Sequence, residues 1–387
     1  MIDKVANNKY NTEVLKLFTP EEVKKKLDYY RSFLGKIQDL SDDEFENLQQ
    51  SIKTFFNLKP VKELRTPPEK LIRISNNNRI LKAQGKELSY LTEIDQLLAP
   101  PPEYCNYGRC NILDQQVLYC AINESLAYWE TKPKNGDVIT ISHFRLKEGA
   151  KLNCTVISSE KRLDPDVSNE LQEIHDLLDD FFVDVYSIVV SMDRPKDYLF
   201  SALLSSDQLF YPIASDLNIE AVVYPSVQKK KFGYNVAIRN DLIFEKYDLE
   251  AVETRFILDE FDKIDPSSDE LTTDNLIASF VTNVFDFDNG KILYKDKTDE
   301  FFDFLRSMQT SGGKQTRNND PDLPKNMPFD FSPVKEEQAP KILKRTKFGR
   351  NERIDVLYND GTLTKSIKFK KVESDLENNL CKVIESS

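Results

Sequence analysis

An α+β fold, with a mixed and strongly twisted sheet and flanking helices, is what this sequence predicts. Two observations carry that reading. The apolar runs are short, and they are interspersed with helical patterns instead of alternating with them regularly, as a doubly wound parallel sheet would require. At 387 residues, 40% hydrophobic, 11% aromatic and 30% charged, the chain has the composition of a folded globular protein and exceeds the usual size of one core.

The first sixty-odd residues read as helical. Thr19-Pro20-Glu21-Glu22 supplies an N-cap with proline at the first helical position, and Val23, Leu27, Tyr30 and Leu34 continue at helical spacing. A second helix starts at Ser41-Asp42-Asp43-Glu44 and carries Phe45, Leu48, Ile52, Phe55 and Phe56. Prolines at 67, 68 and 100–102 then break the chain into turns around short apolar pieces such as Leu71-Ile72-Arg73-Ile74. Val117-Leu118-Tyr119-Cys120-Ala121 and Val138-Ile139-Thr140-Ile141 suit buried strands, and residues 153–157 alternate as a half-buried strand would. Residues 180–191 fit either a strand or a buried helix. Ala221-Val222-Val223-Tyr224 and Tyr234-Asn235-Val236-Ala237-Ile238 read as two strands of one sheet.

From about residue 307 to 342, Gly, Asn, Lys and Pro dominate, a linker composition. Beyond it Arg353–Tyr358 and residues 364–372 flank Asn359-Asp360-Gly361, whose Asp-Gly pair supplies the positive φ angles of a two-residue hairpin turn. A small C-terminal β module is expected there.

Composition also removes function classes. A net charge of −12 repels a phosphate backbone, so no nucleic-acid partner is expected, and Lys24–Lys26 and Lys229–Lys231 read as short solvated runs. No apolar run approaches the roughly 20 residues of a membrane span, and residues 1–10 carry no signal-peptide core, which points to a cytoplasmic protein without a membrane partner. Cys105, Cys110, Cys120, Cys154 and Cys381 form an odd set without a CxxC pair, as suits a reducing compartment. With only His143 and His175, a zinc site and the histidine-based triads are unexpected; no metal is predicted.

Three pieces carry chemistry when taken in order: Gly108-Arg109-Cys110-Asn111; Val117-Leu118-Tyr119 leading to Glu130; and Tyr224-Pro225-Ser226 with Gly233-Tyr234-Asn235. Glu130 lies 130 − 119 = 11 residues after the tyrosine, at the end of a short helix capped by Asn123 and stopped before Pro133. Its charge there faces the negative end of the helix dipole, which costs about 0.3–1 kcal/mol when exposed; a surface cation such as Lys132 could neutralise it, or function could account for it. Glu124, the rival, sits at the helix start, where a carboxylate needs no functional reason.

Together these motifs resemble the RES domain, a family named for its arginine, glutamate and serine. The likeness covers roughly residues 68–240, with Arg73 matching the arginine near the domain's start. Two departures stand out: Cys110 follows the Gly-Arg pair where an aromatic or aliphatic residue is frequent, and Lys229–Lys231 replace a tighter glycine-rich connection. The resemblance implies an ADP-ribosyltransferase-like fold and cleavage of NAD⁺ as substrate, commonly by a toxin paired with an antitoxin. The expected organisation is a helical extension (1–65), a RES-like catalytic domain (66–245), a mixed extension of it (246–306), the linker (307–342) and the β module (343–387).

The residue types suit that chemistry. Breaking the nicotinamide–ribose bond develops oxocarbenium character on the ribose, and a carboxylate hydrogen-bonded to ribose hydroxyls stabilises it; Glu130 takes this role. The leaving nicotinamide is already cationic and needs no strong general acid. Arg73 and Arg109 offer planar, permanently charged donors for the pyrophosphate, although Arg73 in an apolar strand equally suits a structural salt bridge. Tyr119 offers a ring face to nicotinamide or a hydroxyl to ribose. Ser226 reads as a positioning hydrogen-bond donor supported by Asn235, and Tyr224 as a pocket-lining residue. The leading expectation is an NAD⁺ glycohydrolase or phosphorylase that acts as a toxin or defence effector under an antitoxin or other regulatory protein. The alternatives are an ADP-ribosyltransferase with a protein or other acceptor, and a non-catalytic binding or immunity protein.

Overall fold

The computed structural model describes residues 2–6, 15–56, 61–64, 67–158, 168–211, 218–227, 233–257, 276–310, 352–358, 363–377 and 380–384. The chain forms two compact units, Met1–Asn318 and Asn319–Ser387.

Among the described residues of the first unit, ten strands build one sheet: β1 (Ile2–Ala6), β2 (Val61–Leu64), β3 (Lys70–Asn76), β4 (Val117–Ala121), β5 (Val138–Leu146), β6 (Cys154–Val156), β7 (Ala221–Pro225), β8 (Tyr234–Arg239), β9 (Tyr247–Ile257) and β10 (Leu276–Thr282). Across the sheet they run β1-β2-β6-β7-β8-β4-β3-β5-β9-β10. β6 and β7 pair parallel and the other neighbours antiparallel. The protein is thus α+β, with a large mixed sheet and flanking helices.

Period-two alternation sorts the side chains between two cores. On β4, Val117 and Tyr119 pack into one apolar cluster while Leu118 and Cys120 enter the other; on β7, Val222 and Tyr224 are separated in the same way from Ala221 and Val223. The first cluster is roofed by α1 (Pro20–Arg31), α2 (Asp42–Phe56), α5 (Asn169–Tyr186) and α6 (Leu199–Leu209). α1 begins with the expected cap, in which Thr19 Oγ1 accepts from the Glu22 amide and Glu22 Oε2 from the Thr19 amide.

The N-terminal helices are part of this core. Phe56 stacks on Phe181 at 5.4 Å, and Tyr30 meets Phe200 edge-on at 5.5 Å. Each fully buried ring of this size contributes about 1.5–3 kcal/mol. A polar latch adds to it: Arg194 grips both oxygens of Asp39 at 3.0 and 2.7 Å, and the Gln38 amide donates to Asp197 at 2.8 Å.

Between β4 and β5 lies α4 (Glu124–Thr131), started by Asn123, whose side chain accepts from the Leu126 amide at 2.8 Å, and ended at Lys132 with φ +45°. An earlier short helix, α3 (Asn77–Ala83), follows β3. After β10, α7 (Thr298–Thr310) packs Phe302 and Leu305 against Val138 and Phe256.

Several expectations change here. The 180–191 stretch is helical to Tyr186, because its apolar residues extend the Leu171, Ile174, Leu178, Phe181 and Val185 face of α5. β6 is buried on both faces, so the half-buried reading of 153–157 gives way. β9 and β10 continue the same sheet beside β5, so residues 247–257 and 276–282 belong to the central sheet. Residues 307–310 of the expected linker are the end of α7; residues 311–342 lie outside the described residues, as do the Lys229–Lys231 run and the Asn359-Asp360-Gly361 turn.

Among the described residues, the second unit forms a three-stranded sheet in the order β12 (Leu363–Lys368), β11 (Arg353–Tyr358), β13 (Cys381–Ile384), over a core that includes Ile354, Val356, Val372 and Val383. Among the described residues no helix is long and apolar enough to cross a membrane.

Candidate active site

The sheet splits at its middle, and the split makes a cleft. β3 runs beside β5 from Lys70 to Asn76, but meets β4 at one register pair, Ile72 opposite Ala121. Past that pair the strands part, and the Arg73 side chain enters the gap: its Nη1 donates to the Tyr119 carbonyl at 3.2 Å and its Nη2 to the Leu98 carbonyl at 3.2 Å. The guanidinium thus takes a backbone oxygen that a continuous ladder would have used.

A cavity of about 350 Å³ opens there, lined by Ile72, Arg73, Gly108, Arg109, Tyr119, Glu130, Tyr198, Tyr224 and Asn235, among others. Its floor follows from strand register. Ile72 lies opposite Ala121, Ala121 opposite Asn235, and Asn235 opposite Tyr224, so the four side chains share one face of the sheet. α4 stands over this row and contributes Ala127, Glu130 and Thr131.

Glu130 is exposed to the cleft, and neutral donors hold it: Oε1 accepts from Ser226 Oγ at 2.7 Å and from Asn235 Nδ2 at 2.7 Å. Among the described residues no cation pairs with it, Lys132 included. Ser226 and Asn235 are both buried, at 1% and 4% exposure, so their aim is fixed by packing. Asn235 supports the carboxylate directly; the hydrogen bond expected from Asn235 to Ser226 is not what holds it. Gly233, with φ +96°, permits the close approach of this turn to α4, since a Cβ there would lie 3.1 Å from Leu126 Cδ2. The rival Glu124 is ion-paired with Arg255 and supports the fold.

Arg109 is held differently from an ordinary surface arginine. Nη1 donates to the carbonyls of Tyr186 and Ile188, and Nη2 to Ile188 at 3.1 Å. Its guanidinium lies 5.1 Å from the Tyr198 ring and 5.8 Å from the Tyr224 ring, within cation–π range. Neither Arg73 nor Arg109 has a carboxylate partner among the described residues, so the salt bridge considered for Arg73 is not formed. Burial pulls Arg73 below its ordinary value, but a guanidinium stays charged. The cleft therefore holds two guanidiniums without an ion-pair partner among the described residues against the one carboxylate of Glu130, an excess of positive charge that favours an anionic ligand.

Tyr119 is committed elsewhere than expected. Its hydroxyl donates to Asn111 Oδ1 at 2.7 Å and accepts from the Cys110 amide at 2.7 Å, and burial pushes it well above the ordinary tyrosine value. It locks the turn that carries Arg109; its ring, not its hydroxyl, is what it can present to a ligand. Gly108 is required beside this lock, because a Cβ there would lie 2.4 Å from Asn111 Oδ1 and 2.7 Å from the Tyr119 oxygen.

Arg73, Arg109, Tyr119, Glu130, Tyr224 and Asn235 thus line one cleft, with Ser226 bonded to Glu130. Two contributors carried no role in the sequence motifs as read: Asn111, which anchors the Arg109 turn through Asn106 and Ile112 carbonyls at 2.7 and 2.9 Å, and Tyr198. The first stood in the Gly-Arg-x-Asn motif; the second ends the short 3-10 helix Pro195–Tyr198, distant in sequence and without a local signal. No family model matches this chain, and no curated protein matches it.

Proposed function

We propose that the cleft binds NAD⁺ and cleaves its nicotinamide–ribose bond, as the resemblance to the RES domain implies, on an ADP-ribosyltransferase-like sheet split by the ligand site. The observation that carries this reading is the Glu130 carboxylate, held through Oε1 by two neutral donors in a cleft that also holds Arg73 and Arg109. Neutral donors orient a carboxylate without cancelling its charge. Glu130 stays able to stabilise positive charge that develops on a sugar, and preorganised charge of this kind supplies much of the rate enhancement in many enzymes. The guanidiniums favour the pyrophosphate, and the rings of Tyr119, Tyr198 and Tyr224 give apolar faces to flat heterocycles.

The acceptor of the ADP-ribosyl group, water or phosphate, comes from outside these residues. Incubating the protein with NAD⁺, with and without inorganic phosphate, and following nicotinamide release and the remaining sugar nucleotide tests the reading. Free ADP-ribose marks hydrolysis and a phosphorylated ADP-ribose marks phosphorolysis. Intact NAD⁺ under both conditions contradicts it.

A further inference from the structure

We infer that the Tyr224 hydroxyl contacts the sugar of the substrate beside Glu130, taking the ribose-reading role that the sequence offered to Tyr119. This rests on the NAD⁺ reading above and assigns one group within it. Tyr224 is 5% exposed and lines the cleft, yet its hydroxyl has no hydrogen-bond partner among the described residues. Buried tyrosine hydroxyls ordinarily find one, so a hydroxyl left open toward a cleft is provided for by what enters it. The Tyr119 hydroxyl is occupied by Asn111 and Cys110.

Position favours a shared ligand group. Tyr224 stands opposite Asn235 in the β7–β8 register, and Asn235 holds Glu130. Arg109 lies over the Tyr224 ring and Tyr186 packs beside it at 6.0 Å, so the ring is fixed. Burial, with a smaller contribution from the Glu130 charge, keeps the phenol protonated far above neutral pH, and it can therefore donate. A carboxylate accepts only, whereas a phenol donates and accepts. The ligand group that uses both at once is a vicinal diol, as on ribose.

The test compares parent, Tyr224→Phe and Tyr119→Phe on NAD⁺ and on its analogues lacking the 2′ or the 3′ hydroxyl of the nicotinamide ribose. Thermal midpoints are measured without ligand. Tyr224→Phe is expected to lower kcat/KM on NAD⁺ about 3- to 10-fold, the scale of one lost hydrogen bond. On the analogue lacking the partnered hydroxyl it should cause no further loss. Its midpoint should equal or exceed the parent's, because the lost oxygen had no protein partner. Tyr119→Phe should lower the midpoint and keep the parent's discrimination between analogues. The assignment is overturned if Tyr224→Phe discriminates against both analogues as the parent does, or loses as much thermal stability as Tyr119→Phe. A parent that releases no nicotinamide from NAD⁺ removes the NAD⁺ reading and this inference with it; an active parent with an unaltered Tyr224→Phe removes the tyrosine assignment alone.

Discussion

Ser226 donates its hydroxyl to Glu130 at 2.7 Å across 96 residues of sequence, and this contact ties the end of β7 to the C-terminal turn of α4. With Asn235 it orients the Glu130 carboxylate, which pairs with no cation among the described residues. Removing either donor should therefore loosen the carboxylate. Hydrogen bonds to charged groups are worth about 1.5–3 kcal/mol. Ser226→Ala and Asn235→Ala should each reduce kcat roughly 10- to 100-fold by that scale, with KM changing less; steady-state kinetics on NAD⁺ checks this. A loss confined to KM would place the donors on the ligand instead.

Arg109→Lys should bind NAD⁺ poorly although it keeps the charge. A lysine ammonium lacks the planar fork that reaches the Tyr186 and Ile188 carbonyls while packing against the Tyr198 and Tyr224 rings. Calorimetric titration with ADP-ribose should show affinity reduced at least about tenfold, the equivalent of about 1.4 kcal/mol. Equal affinity would mean that only charge at this position matters.

Gly108→Ala should damage the same region by sterics alone. The added methyl meets the Asn111–Tyr119 hydrogen bond and has to displace it, so the Arg109 turn shifts. Reduced ligand affinity with a circular-dichroism spectrum like the parent's is the expected result; affinity equal to the parent's would show the turn to be more yielding than its geometry indicates.

Away from the cleft, Arg255 binds both oxygens of Glu253, pairs with Glu124 and reaches the Tyr128 hydroxyl. Arg255→Met should destabilise the fold by about 3–5 kcal/mol, since it leaves two carboxylates without their cation. Burial pushes Glu253 up, but the bonds and charge of Arg255 prevail and its net shift is downward. Its stability contribution is thus full above the ordinary glutamate value and is lost as pH falls through the lower folded value. Urea midpoints measured from pH 7 to pH 3 should fall in the parent and fall less over that acid range in Arg255→Met.

The N-terminal helices, expected from sequence as an extension, share the core of the sheet through Tyr30, Phe56, Phe181 and Phe200. Their removal exposes that core. Truncation of residues 1–60 should yield aggregated or unfolded protein, assessed by gel filtration and near-ultraviolet circular dichroism; a folded and active product would show that the helices are dispensable to the core.

Much of the cleft was legible because its residues fall in short motifs whose local structure is nearly self-determined. Asn123 and Pro133 fix α4 and hence the height of Glu130, and the strand ending in Tyr224-Pro225 presents Ser226. Partnerships between distant segments were not legible. Tyr198 reaches Arg109 from a distant 3-10 turn, and the Tyr119 hydroxyl turns back to Asn111, because tertiary packing decides where a tyrosine side chain goes. The helix–strand ambiguity over residues 180–191 had a local cause: a window rich in Phe and Val looks alike in both. Extending it back to Leu171 exposes the helical spacing. The burial of β6 on both faces depends on the opposing cores and leaves no mark in three residues.

The most direct measurement is nicotinamide release from NAD⁺ by the parent and by Glu130→Gln, prepared alike and matched in thermal midpoint. The glutamine keeps the shape and removes the charge that would steady a forming oxocarbenium ion. Rapid release by the parent and a loss of roughly a thousandfold or more in the variant, about 4 kcal/mol of transition-state stabilisation, is the expected outcome. Equal release by the two proteins, or none by the parent, would contradict it.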